Sequence, residues 1–232
     1  MFETSYTGGM STYRTADEIN SAMTRVYAHM SMAVIVSMLI SYVVGNSPEL
    51  LQFFFTGAMK WVVIFAPLLF IFLVPVLLNS GLPKAGKVLT LHAFAAIMGL
   101  SFATIFVIYT MGSIVSAFMG AGVLFGTMSF YGYFTKQNLD SLGKFMFVGL
   151  IAIVIASIIN IFIGSTVMQM VISALAIIIF LGLTAYDTQQ IREEVTLETD
   201  GIAEVRGALT LYMDFINIFL NLLQLFGAKN DD

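Results

Sequence analysis

Seven long stretches of this chain lose nearly all their charged residues, and that pattern constrains the fold more than any other feature. A helix needs roughly 20 mostly apolar residues to cross the hydrocarbon of a bilayer. Such windows occur at residues 25–44, 61–78, 88–109, 113–134, 145–163, 166–186 and 208–226. Polar breaks separate them, among them Gly45-Asn46-Ser47-Pro48, Asn79-Ser80-Gly81-Leu82-Pro83 and the very short Gly164-Ser165. Hydrophobic residues make up 59% of the 232 positions and charged residues 10%. A soluble domain usually has about 25% charged residues, so the excess apolar surface must face lipid. The sequence therefore predicts an all-α integral membrane protein of seven transmembrane helices.

The organisation that follows is a polar segment at 1–24, a seven-helix membrane domain at 25–227 and a short tail at 228–232. The first 24 residues are polar and mixed in charge, and are read as a cytoplasmic segment, not a cleavable signal. The net charge of -4 and the lack of a basic patch argue against nucleic acid. With no cysteine, disulfides and thiolate metal sites are excluded.

Lysines and arginines give the orientation. With seven spans, Arg14, Arg25, Lys84, Lys87, Lys136, Lys144, Arg192 and Arg206 fall on one side and only Lys60 and Lys229 on the other. The positive-inside rule then places the N-terminus in the cytoplasm and the C-terminus outside. Gly112, Ser116 and Gly120, at four-residue spacing, predict close backbone packing on the fourth span. Asn160 and Gln169 read as contacts within the bundle. The longest internal loop is expected at 188–205.

Charge within the hydrocarbon costs about 2.5–3.5 kcal/mol even on insertion scales, so two aspartates stand out. Asp187 ends the sixth span and Asp214 lies inside the seventh; the topology puts both at similar depth near the cytoplasmic side. Two carboxylates close together in a low dielectric share a proton, recruit a basic partner or bind a cation. The plainer reading is that each caps a loop at the water boundary. Thr210, Asp214, Asn217, Asn221 and Gln224 follow steps of four, three, four and three, which is one helical face. That stripe suits a helix lining a hydrated path, or alternatively one bonded to its neighbours. Arg25, His29, Ser37 and Ser41 share a face of the first span; His92 and His29 both sit near cytoplasmic span ends.

No His-Glu-x-x-His, Gly-x-Ser-x-Gly or Walker loop is present, and no cofactor or enzymatic activity is expected. Tyr186-Asp187 matches half of the intramembrane aspartyl protease signature. Leu211-Tyr212-Met213 before Asp214 lacks the glycines of the other half.

Three segments carry a family resemblance: Gly182-Leu183-Thr184-Ala185-Tyr186-Asp187-Thr188-Gln189, Gly207-Ala208-Leu209-Thr210-Leu211-Tyr212-Met213-Asp214-Phe215-Ile216-Asn217, and Ser129-Phe130-Tyr131-Gly132-Tyr133. With the Arg25-Val26-Tyr27 entry to the first span, they make the chain resemble the Bax inhibitor-1 family, most closely its bacterial members. The resemblance implies six helices around a central seventh and a pH-sensitive Ca²⁺ leak governed by a paired-aspartate sensor. Asp187 and Asp214 stand at the positions of that pair, and Ca²⁺ would visit them transiently. Some members carry a basic latch on the second span. Here 61–78 holds no Arg, Lys or His, and Arg25 or His29 could substitute. The resemblance also implies a second reading, a modulator of stress survival that binds a membrane-anchored protease, with the polar N-terminal 24 residues as its handle.

Overall fold

A computed structural model describes residues 14–198 and 201–230. These residues form nine helices: α1 (Ala16–Gly45), α2 (Pro48–Phe55), α3 (Met59–Leu78), α4 (Lys84–Phe102), α5 (Ile105–Ile108), α6 (Met111–Phe134), α7 (Asp140–Ile163), α8 (Thr166–Leu197) and α9 (Ile202–Phe226). Seven segments are long and apolar enough to cross a membrane, with α4 and α5 forming one of them.

The helices run further than hydropathy alone suggests, because polar caps start them before the apolar runs begin. Thr15 and Glu18 form a reciprocal capping box, in which Thr15 N–H donates to Glu18 Oε2 at 2.7 Å and Glu18 N–H to Thr15 Oγ1. Helix α1 therefore begins at Ala16, inside the polar segment 1–24, and Ala22 and Met23 of that segment are buried core. Only residues 1–13 of it lie outside the described residues. The expected loop at 188–205 is mostly helix, since α8 continues to Leu197. Ser47 and Pro48 start α2, a short surface helix with no buried residue that the sequence reading had merged into a turn.

Helix α9 is the axis. It packs against α1, α3, α4, α6 and α8. Its most apolar window is 44% buried, against 11% for α7, which packs chiefly on α8. Inside a membrane the hydrophobic effect does not drive helices together; packing and hydrogen bonds do. Such bonds cross the bundle: Ser37 Oγ donates to the Ala95 carbonyl at 2.7 Å and pairs with the fully buried Tyr212 hydroxyl at 2.7 Å, joining α1, α4 and α9. Asn160 clasps the α7–α8 turn through the Ser165 carbonyl and Gln169 Oε1, as expected.

The Gly112–Ser116–Gly120 row does not provide close backbone packing. It lines a cavity of about 360 Å³ with Leu222 and Phe226. The closest approach made by α6 is instead at Gly132, where an added Cβ would lie 2.1 Å from the Ala185 carbonyl oxygen of α8.

Candidate functional site

Ala185 is two residues from Asp187, so the contact that fixes α8 against α6 also places the aspartate. On the other flank, a Cβ at Gly143 of α7 would meet the Tyr186 ring at 2.5 Å. Polar contacts add to this clamp. Tyr27 OH pairs with Ser129 Oγ at 2.6 Å, and Ser129 Oγ with Thr188 Oγ1 at 2.9 Å, linking α1, α6 and α8. Arg192 lies 5.0 Å over the Tyr133 ring and donates to the Tyr133 carbonyl. The Ser129–Tyr133 segment thus holds the stretch of α8 that bears Asp187.

Asp187 does not cap a loop. Helix α8 extends ten residues past it, and α9 begins twelve residues before Asp214. At 1.5 Å per residue, these offsets are about 15 and 18 Å, so the two side chains lie at matched depth. Both stand at the same cavity, close enough for each carboxyl group to act electrostatically on the other. Asp214 is 4% exposed and Asp187 half-buried. Asp214 Oδ2 is buried without any hydrogen-bond partner. Thr184, beside Asp214, has its hydroxyl 2.7 Å from the Phe180 carbonyl. Two carboxyl groups side by side can share a proton or hold a cation between them.

Both aspartates border a cavity of about 660 Å³ lined by residues of α3, α7, α8 and α9. Thr210 and Asn217 line it with them, as do Ile71, Phe180 and Lys144. The rest of the stripe on α9, Asn221 and Gln224, is not part of this cavity's lining. Asn217 Nδ2 donates to the Met213 carbonyl and Asn221 Nδ2 to the Asn217 carbonyl, both at 2.8 Å. Gln224 accepts from Ser173 Oγ at 2.9 Å. Thr210, Asp214 and Asn217 line the cavity, whereas Asn221 bonds its own helix and the exposed Gln224 bonds Ser173 of α8.

The expected basic partners sit elsewhere. Arg25 makes a two-pronged ion pair with Glu204, Nη2 to Oε1 at 2.7 Å and Nε to Oε2 at 2.9 Å. His29 packs edge-on against His92, with ring centroids 6.4 Å apart. The basic group bordering the aspartate cavity is Lys144 of α7. Among the described residues no group of three or more His, Cys, Asp or Glu could hold a metal ion. Ca²⁺ takes six to eight oxygens, so two carboxylates suit a passing cation better than a resident one.

Glu204 and Lys144 escaped the sequence reading. Glu204 is 1% exposed and bonded to Arg14, Arg25 and Lys84. Its signal was its register: Glu204, Ala208, Leu211, Phe215 and Ile218 follow one buried face of α9.

Residues 19–231 match the family model described as Inhibitor of apoptosis-promoting Bax1. The chain is 33% identical over 217 residues to the inner membrane protein YbhL of Escherichia coli, covering 91% of this chain and 93% of that one. It is 34% identical over 220 residues to an uncharacterised protein of Borreliella burgdorferi, covering 92% and 94%. Against protein YrjE of Lactococcus lactis it is 34% identical over 223 residues, covering 91% and 92%.

Proposed function

Since this chain belongs to the family of Inhibitor of apoptosis-promoting Bax1, we propose that it is a passive, pH-sensitive leak for Ca²⁺ or other cations, gated through Asp187 and Asp214. The observation that carries the proposal is the pair itself. Two carboxyl groups on neighbouring helices stand at the same cavity, and the buried Oδ2 of Asp214 has no donor. A proton between them makes a carboxyl–carboxylate bond that ties α8 to α9. Its loss leaves two like charges in a poorly solvated space, where they repel each other and attract a cation. Thr210 and Asn217 add oxygen and amide groups to the same wall. The site then reads pH through one proton and reports it as looser packing between α8 and the axial helix.

The similarity to an inner membrane protein and the seven apolar helices support a multi-pass protein of the bacterial cytoplasmic membrane. The distribution of lysine and arginine supports an N-terminus in the cytoplasm. The chemistry calls for no enzymatic activity.

In proteoliposomes loaded with a Ca²⁺ dye, Asp214→Asn should flatten the dependence of leak on pH. An unaltered pH profile in a folded variant would sink the assignment.

A further inference from the structure

The end of the bundle where α1, α4 and α9 begin carries an ion cluster that the aspartate cavity does not use. Three cations converge on the buried Glu204 carboxylate: Arg25 Nη2 at 2.7 Å, Lys84 Nζ at 2.8 Å and Arg14 Nη2 at 3.3 Å. Gly201 makes room for this, since a Cβ there would lie 2.5 Å from Lys84 Nζ. One carboxylate against three cations leaves an excess of two positive charges.

The exposed Glu18 carboxylate also feels the Arg14 charge, and two further observations show that part of the cluster has no partner among the described residues. The side chain of Arg14 is 9% exposed, and its Nη1 is buried with no hydrogen-bond partner while Nη2 holds Glu204. Helix α4 begins Lys84-Ala85-Gly86-Lys87, with no acidic residue in its first turn and no side-chain cap. Lysines there add to the positive end of the helix dipole, the reverse of the favoured arrangement. Lys87, one turn beyond Lys84, is 3% exposed and has no carboxylate partner among the described residues. An orphaned guanidinium nitrogen, an uncapped helix start and uncompensated charge meet at one place, and an anion would answer all three.

Arg25 and Lys84 are 46% and 45% exposed, so the cluster opens outward at the span ends. A guanidinium fork and an ammonium at that level suit the oxygens of a phosphate, which offers several acceptors at once. We propose that the Arg14–Arg25–Lys84 cluster binds a phosphate group, carried by an anionic phospholipid of the leaflet at this face. Basic pockets between spanning helices recognise such headgroups by the same chemistry. The bound phosphate would complete the ties among the residues before α1, α4 and α9.

The test uses the full chain, equilibrated with vesicles of equimolar phosphatidylglycerol and phosphatidylcholine and analysed for retained lipid by native mass spectrometry. The wild type should retain phosphatidylglycerol preferentially, and Lys84→Gln should lower that preference about fivefold, the order of one partly exposed ionic contact. Arg14→Lys keeps a cation for Glu204 but removes Nη1. It should lower the preference while leaving the melting temperature near that of the wild type. Equal retention of both lipids by the wild type, or a preference unchanged in both variants, would overturn the site. A parallel measurement of melting temperature compares dioctanoyl phosphatidylglycerol with inorganic phosphate. A rise with the lipid alone supports the lipid as source. An equal rise with inorganic phosphate keeps the phosphate site but overturns the lipid.

Discussion

Glu204 and Asp214 are both buried carboxylates on α9, and their neighbours separate their roles. Glu204 is surrounded by cations, so its charge is compensated and its function is to tie elements together. Asp214 shares its cavity with another carboxyl group, that of Asp187, and in the proposed function it is the one that changes charge. Removing the first should therefore cost stability. Glu204→Gln breaks a buried pair and leaves three cations in excess, with an expected loss of about 2–4 kcal/mol, reduced from the fully buried case because Arg25 and Lys84 are half exposed. Glu194, whose pair with Arg206 leaves both side chains partly exposed and neither buried, is the control. Glu194→Gln should cost less than about 1 kcal/mol. Denaturation of both variants in detergent checks the difference; equal losses would mean that the Glu204 cluster is no stronger than a surface pair.

At the scale of elements, the glycine contacts of α8 decide where Asp187 stands. Gly132→Ala would push a methyl into the Ala185 carbonyl, and backbone cannot yield as a side-chain tip can. The expected cost is about 1–3 kcal/mol, with altered leak activity, because α8 must shift. Gly122→Ala on the same helix meets open space and should leave both unchanged. Comparing stability and flux for the two variants separates α8 displacement from any general effect of alanine in α6.

Much of this level was readable in the sequence, since the seven apolar runs and the matched depth of the aspartates follow from hydropathy and chain direction. The Thr15-x-x-Glu18 capping box and the Ser47-Pro48 helix start were also written there, but an apolar window does not register polar helix ends. Treating 188–205 as loop hid Glu204, whose place on the buried face appears only once α9 is extended back to Ile202. The partner of Arg25 was beyond reach, because pairing residues 179 positions apart depends on how the helices assemble. Small-residue spacing misled for the same reason, as periodicity shows a smooth face without showing which neighbour meets it.

For the whole molecule, orientation is the property that places the ion cluster and the aspartate cavity relative to the cell. The absence of native cysteine makes it testable by single substitutions. A membrane-impermeant maleimide should label Lys60→Cys in intact spheroplasts and Lys136→Cys only after lysis. The opposite pattern would invert the topology. The central claim is that Asp187 and Asp214 act as one titrating unit, and groups so coupled give non-additive effects. The direct measurement is Ca²⁺ flux against pH in proteoliposomes for the wild type, Asp187→Asn, Asp214→Asn and the double variant. If the pair shares one proton, each single variant should lose the pH response and the double variant should match them. Two single variants that each retain a shifted response, summing in the double, would contradict the account.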